Sequence, residues 1–381
     1  MKTRVIASTK PGYELPREEA IKFSGFEAGI CYLPNTIDTL LSEDEEKTLK
    51  RANGTMKSGH HSVFGHSSYN LILEEIPKIL AVLLNNEKDY NTSEKSARYT
   101  KMKPSKAEEE LYEKWINIYN EKIREVYPAI EEKQAMKLAQ ENARYLISIF
   151  TPATTMGYTV DLRQLNYLLH WSEDFIANKA DTEFNILLKP VLKDFVENLK
   201  NIYVEEINTD AKEKEFSLFA KRERTEEWGE NYSTNYYATI AQLAQAQRHR
   251  TLYYEISLPE EYMFFVPYII RGTELEEEWL KDISSLTKMF PQGMLVHVNE
   301  RGTVEKFIEK CQERLCGCAQ LEIALQTKET LDKYLANTKG KNEAVYNYLN
   351  TYAKGARCTF PGFKCARPCI WGAKNALTRK I

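Results

Sequence analysis

Apolar and polar positions alternate at Tyr69, Leu71 and Leu73, a period of two that predicts a strand. The rhythm then changes: Ile76, Ile79, Leu80, Leu83 and Leu84 keep the spacing of a helix with one buried face, ending at Asn85-Asn86. Amphipathic helices are predicted over 105–130, with Leu111, Trp115, Ile118 and Tyr119 on one face, and over 133–150, stopped by Pro152. Thr159-Val160-Asp161-Leu162 opens a further helix that runs through Trp171 and, past a break, to Leu199. Residues 1–50 read as extended and turn-rich, then as a charged helical run from Ser42 to Arg51.

Between about 205 and 230 the chain becomes strongly charged, as in Lys212-Glu213-Lys214-Glu215, and a domain boundary is expected there. Beyond it the order of segments repeats. A Tyr-rich stretch from Asn231 to Tyr237 precedes an Ala/Gln helix; a charged helical run lies near 274–288; Pro291-Gln292-Gly293 breaks the chain; Val298-Asn299-Glu300-Arg301 opens a helix containing Arg314. An internal duplication is the economical account. It divides the chain into residues 1–205, 206–350 and a tail, 351–381, which carries seven basic residues and no acidic one.

The 381 residues suffice for two domains, each able to bury its own core. Net formal charge is only −3, so general polyanion binding is not indicated and any anion site must be local. No long apolar run is present and Met1-Lys2-Thr3-Arg4 leads into no signal-type segment, so a cytoplasmic protein is expected, bound to neither membrane nor nucleic acid. Seven cysteines, an odd number, point to reduced thiols. Cys358, Cys365 and Cys369 lie close together in the tail and would suit a structural zinc ion if Cys316, Cys318 or His297 gave a fourth ligand; free thiols in a folded tail are the alternative.

Three segments carry candidate chemistry. Gly59-His60-His61-Ser62-Val63-Phe64-Gly65-His66 gathers three of the six histidines. Because it leads straight into a strand pattern, it reads as a polar strand entrance touching a ligand or capping a helix rather than as a metal site. In Asn91-Thr92-Ser93-Glu94-Lys95-Ser96-Ala97-Arg98-Tyr99 a carboxylate, hydroxyls, a small residue and a guanidinium follow a helix end, which suits a phosphate-and-sugar loop or an Asx/Ser turn. Ala244-Gln245-Ala246-Gln247 leads on one helix to Arg248-His249-Arg250, whose guanidinium forks match phosphate or ring carbonyls; a solvated charged turn is the plainer alternative.

Laid side by side, these segments resemble the flavin-dependent thymidylate synthases. That signature has Arg-His-Arg at a helix end, then Ser, a small residue, Arg and Tyr. A Gly-His entrance lies upstream; an Ala-Arg helix, a Thr-Val-Asn-Ala-Arg segment and an Arg ahead of Ala-Gln-x-Glu-Ile lie downstream. The first half has the entrance, with Gly65 where the family has Glu, then Glu94, Ser96, Ala97, Arg98, Tyr99, Ala143-Arg144 and Thr159-Val160-Asp161, but Asn86-Glu87-Lys88 fills its Arg-His-Arg slot. The second half has Gln245, Arg248-His249-Arg250, Asn299, Arg301, Arg314 and Ala319-Gln320-Leu321-Glu322-Ile323, but Leu258 and Glu260 stand where Ser and Arg belong.

The resemblance implies an α+β fold of two tandem synthase-like repeats forming an internal pseudo-dimer, each half keeping one side of one site. It implies that Glu94, Ser96, Ala97, Arg98, Arg144, Gln245, Arg248 and Arg314 hold a nucleotide, with Arg248 also catalytic. Ser62, Arg248, His249, Arg250, Asn299 and Arg301 would hold FAD. The implied reaction is reductive methylation of dUMP at C5 with methylenetetrahydrofolate and NADPH, in a homodimer that imitates the family's tetramer, with no thiol nucleophile. Another acceptor (UMP or dCMP), a hydroxymethyl product, or a non-catalytic nucleotide-binding homologue are the other readings.

Overall fold

A computed structural model describes residues 6–31, 36–97, 100–207, 215–219, 225–366 and 368–381. Arg98, Tyr99 and the charge runs at 208–214 and 220–224 lie outside the described residues. The first fifty residues are more helical than their sequence suggested: α1 (Arg17–Ile30), α2 (Ile37–Leu41) and α3 (Glu45–Lys57) pack together. Gly25 permits this contact, since a Cβ there would lie 2.5 Å from the Thr48 carbonyl.

Strands β1 (Ser68–Pro77), β2 (Tyr90–Glu94) and β3 (Pro152–Asp161) form an antiparallel sheet in the order β1-β3-β2. Helix α4 (Lys78–Leu84) follows β1, α5 (Lys106–Val126) and α6 (Glu132–Ala143) follow β2, and α7 (Leu162–Asn178) and α8 (Glu183–Leu199) follow β3. The second sheet holds β4 (Glu227–Trp228), β5 (Asn231–Thr239), β6 (Tyr253–Ser257) and β7 (Leu295–Thr303) in the order β4-β5-β7-β6. Here α9 (Ile240–Ala246) follows β5, α10 (Leu275–Ser285) follows β6, and α11 (Val304–Arg314) and α12 (Leu321–Thr338) follow β7. Helices α13 (Glu343–Asn350) and α14 (Gly372–Asn375) complete the chain.

Apart from the short β4, the two sheets share one connectivity: strand, helix, strand, excursion, central strand, helix. In both, the central strand runs directly into a helix capped by a side-chain oxygen, Asp161 before α7 and Thr303 before α11. Two expected helix openings are therefore strands. Thr159 and Val160 lie on β3, and Asn299 and Arg301 on β7, because these β-branched and alternating positions pair with both neighbouring strands. Glu94 likewise ends a strand rather than sitting in a loop.

The one-faced helix expected at 76–84 is buried all round. Ile79, Leu80, Ala81, Val82, Leu83 and Leu84 are each at most 4% exposed. They are covered because one continuous core takes in both sheets, α4 and α9 together, so the halves do not bury separate cores. A second cluster joins Trp115 and Tyr119 of α5 to Trp279 of α10 and to the tail through Trp371 and Ile381. Among the described residues no helix is long and apolar enough to cross a membrane.

Candidate active site

Where α4 and α9 meet, the two halves exchange matched contacts. Lys88 Nζ donates to the carbonyls of Arg250 (2.6 Å) and Leu252 (2.9 Å), while Arg250 Nη1 donates to the carbonyl of Tyr90 (2.8 Å). Tyr90 Oη donates to the Asn85 carbonyl (2.6 Å) just past α4, and Tyr254 Oη to the Ala246 carbonyl (3.0 Å) at the end of α9. Gln247 Nε2 reaches the Val82 carbonyl (2.8 Å) and Asn86 Oδ1 (3.0 Å), and Asn86 Nδ2 reaches the Tyr254 carbonyl (2.8 Å). The contacts to Val82 and Asn85 satisfy carbonyls at the end of α4, and those to Tyr90, Arg250, Leu252 and Tyr254 tie strand and loop carbonyls across the seam. They also bring Arg248, just beyond α9, against the end of β2.

The result is a cleft of about 240 Å³ lined by Glu94, Ser96, Ala97 and Arg144 of the first half and by Gln245, Arg248 and Arg314 of the second. Seven of the eight residues expected to hold a nucleotide thus share one cavity, and the eighth, Arg98, lies outside the described residues. Lys78 and Gln292 also line it. Neither was singled out from sequence, although a lysine opening an otherwise apolar helix and a glutamine in a Pro-Gln-Gly break are the signals that mark them. Five cations, Lys78, Lys95, Arg144, Arg248 and Arg314, face one carboxylate, so the cleft favours an anion.

Glu94 is held on one side only. Its side chain is 1% exposed; Oε1 accepts from Lys78 Nζ (2.6 Å) and Thr154 Oγ1 (3.1 Å), whereas Oε2 has no hydrogen-bond partner and faces Arg248 Nη2 at 3.7 Å. Burial pulls the Lys78 ammonium below its usual range, and Glu94 opposes that shift. Arg144 is buried and donates through Nη2 to Gln320 Oε1. Arg314 donates from Nε to His249 Nε2 (2.8 Å) and from Nη2 to the Gln245 carbonyl (3.0 Å). Burial, together with the charges of Arg314 and Lys310, pushes His249 down to about 2, so it is a neutral acceptor. Buried side-chain atoms without a partner gather here: Glu94 Oε2, Arg144 Nε, Gln245 Oε1 and Gln292 Nε2. Such orphans call for an explanation, and a polar ligand supplies one.

The residues expected to hold FAD do not all line this cleft. Arg248 does. His249 stands one contact behind it, through Arg314. Arg250 turns away, its guanidinium on the Tyr90 carbonyl and Asn91 Oδ1 beside the Tyr90 ring, so it ties the halves together. Asn299 and Arg301 share one face of β7. Asn299 Nδ2 donates to Ser233 Oγ and Asn235 Oδ1, both 3.0 Å, and its buried Oδ1 lacks a partner. Arg301 is 39% exposed over the ring of Tyr253, itself exposed. An orphaned amide oxygen, a half-exposed guanidinium and an open aromatic face fit the polar edge, phosphates and ring of a flavin nucleotide. Ser62 is exposed on the short 3-10 turn His61–Gly65.

The cysteines that the sequence offers for zinc sit apart in their surroundings. Cys358 and Cys365 are exposed and Cys369 is half-buried; among the described residues no group of three or more His, Cys, Asp or Glu could hold a metal ion. Cys369 instead lies against Gly317, where a Cβ would come within 2.5 Å of its Sγ, and with Cys318 it lines a second cavity of about 290 Å³. Burial pushes the Cys318 thiol up to about 11, and its cysteine neighbours add to the shift.

Fold and site together define an α+β protein with a cation-lined cleft between two sheets of like connectivity. Residues 18–199 match the family model described as thymidylate synthase complementing protein, so that region is similar to the flavin-dependent thymidylate synthases. The matched family is one of flavin-dependent thymidylate synthase-type enzymes that act on a nucleotide and a folate. No curated protein matches the chain. The matched region holds the Glu94, Ser96 and Arg144 side of the cleft and stops short of Arg248.

Proposed function

We propose that this chain is an FAD-dependent thymidylate synthase that reductively methylates dUMP at C5, using methylenetetrahydrofolate and NADPH. In this reading residues 1–205 and 206–350 are tandem repeats of one ancestral subunit, 351–381 is an added tail, and two chains pair as a homodimer. The shared connectivity of the two sheets supports the duplication. The observation that carries the functional reading is the single cleft in which Glu94, Ser96 and Arg144 meet Gln245, Arg248 and Arg314.

Ser96, Arg144 and Arg314, with Arg98, would bind the phosphate and ring carbonyls of the nucleotide, and Ala97 would let the backbone approach closely. Glu94 would accept a hydrogen bond from a ligand N–H or O–H at the oxygen that Lys78 leaves open. Arg248 would stabilise negative charge on the ring carbonyls as C5 becomes nucleophilic. Asn299 and Arg301 would hold the flavin, with His249 fixing Arg314 behind the nucleotide; Ser62, carried only by the resemblance, belongs to this proposed set too. When bound, the reduced flavin would supply the reducing and one-carbon-transfer chemistry of the reaction.

Tritium release from 5-labelled dUMP tests this. Purified protein should load with FAD, turn yellow and release tritium with NADPH and methylenetetrahydrofolate, faster from dUMP than from UMP or dCMP. Colourless protein that takes up no FAD and releases no tritium overturns the reading.

A further inference from the structure

Behind the cleft, four side chains form a hydrogen-bonded chain with only one possible sense. Glu322, buried at the start of α12, accepts from the Thr239 N–H (3.0 Å), Thr239 Oγ1 (2.9 Å) and Tyr145 Oη (2.7 Å). Thr239 Oγ1 itself accepts from the Gln242 N–H (3.0 Å), which leaves its one proton for Glu322. Burial raises the Glu322 carboxyl and the Tyr145 and Thr239 donors pull it back; three donors converging on it are accommodated by an ionised acceptor.

Tyr145 has spent its only proton on Glu322, so its oxygen must accept from Gln320 Nε2. That fixes the Gln320 amide, whose Oε1 accepts from Arg144 Nη2 of the first half and from Gln245 Nε2 of the second. The Gln245 amide is fixed in turn, with Oε1 left over as a buried acceptor on the cleft. An amide's orientation is ordinarily ambiguous; here the polarity of the chain behind it decides.

We propose that Glu322, Tyr145 and Gln320 form a relay that makes the site select uracil over cytosine, by holding the Gln245 oxygen toward the ring N–H of the base. The inference rests on the uridylate reading above. Uracil and cytosine both present one donor and two acceptors on their pairing edge, so counting groups cannot separate them; only orientation can. Uracil carries a hydrogen on N3 where cytosine carries a lone pair. An amide free to turn would serve either base, whereas a fixed one leaves the wrong base with two acceptors facing each other. The three relay residues are positioning residues, acting through Gln245 and Arg144.

The test is calorimetric binding of dUMP and dCMP to the full chain, as wild type, Tyr145→Phe and Glu322→Gln. Wild type should prefer dUMP by tenfold or more, and each variant should shrink that preference at least fivefold, chiefly by gaining dCMP affinity. Purely structural damage weakens both nucleotides alike and leaves the ratio unmoved. A wild type that prefers dUMP, with the ratio unchanged in both variants, overturns the relay alone. A wild type that binds neither nucleotide, or prefers dCMP, overturns the uridylate reading and the relay with it.

Discussion

Arg248 Nη2 stands 3.7 Å from Glu94 Oε2, an ion pair that joins the Arg-His-Arg end of the second sheet to the last strand residue of the first. Each side chain belongs to a segment that taken alone is a plausible charged turn. Their meeting turns two weak motifs into one cavity.

The cleft is built within a single chain, which makes complementation informative. Arg248→Ala and Arg144→Ala should each lower turnover about a hundredfold or more, the usual cost of removing a group that stabilises developing charge. Co-expressing the two variants should restore nothing, since neither chain carries an intact cleft. Recovery of about a quarter of wild-type activity would mean that the working site forms between chains.

On the duplication proposed above, the degenerate side of the repeat should be inert. Where the cleft has Gln245, Arg248, Arg314 and Ser96, the corresponding positions of the other half hold Leu83, Asn86, Ser172 and Leu258. Ser172 Oγ is turned onto its own helix, donating to the Leu168 carbonyl (2.7 Å), and Leu83 and Leu258 belong to the core that also holds Phe150, Phe184 and Phe290. A packed core has no room for a nucleotide. Calorimetry should therefore count one dUMP per chain; two would contradict this.

His249 should make stability depend on pH in a definite direction. Its folded pKa, about 2, lies below the unfolded value of about 6.5, so the unfolded chain takes up the proton first. Its stabilising contribution is complete above about pH 6.5 and is lost as pH falls toward the folded value. Between pH 7 and pH 5 the loss should be about 2 kcal/mol. Urea melts of wild type and His249→Gln at the two pH values check this: the variant should lack that part of the slope, and an identical slope would contradict a buried neutral His249.

Legibility in the sequence differed by kind of feature. The strand at Tyr69, Leu71 and Leu73, the helices near 105–130 and 274–288 and the break at Pro291-Gln292-Gly293 were all readable, because each leaves a local mark: a period, a cap or a breaker. The boundary at Asn299 and Arg301 is not legible locally, because a short polar-apolar alternation before a helix looks like its first turn until the partner strands are known. Lys78 and Gln292 carry only weak local marks, a lysine at the start of an apolar helix and a glutamine in a turn, and it is the cleft that gives those marks a meaning.

By itself the sequence determined which residues can do chemistry and that they fall into two incomplete sets, since side-chain type and spacing are written in the chain. Only the tertiary structure decided that the sets meet. It buried α4 on every side, spent Arg250 on the seam rather than on the cleft, brought Lys78 beneath Glu94, and set the Gln245 amide through Glu322, Tyr145 and Gln320. Each of these depends on contacts between residues far apart in the chain. A periodic pattern reports that a face is covered, but it does not carry the identity of what covers it.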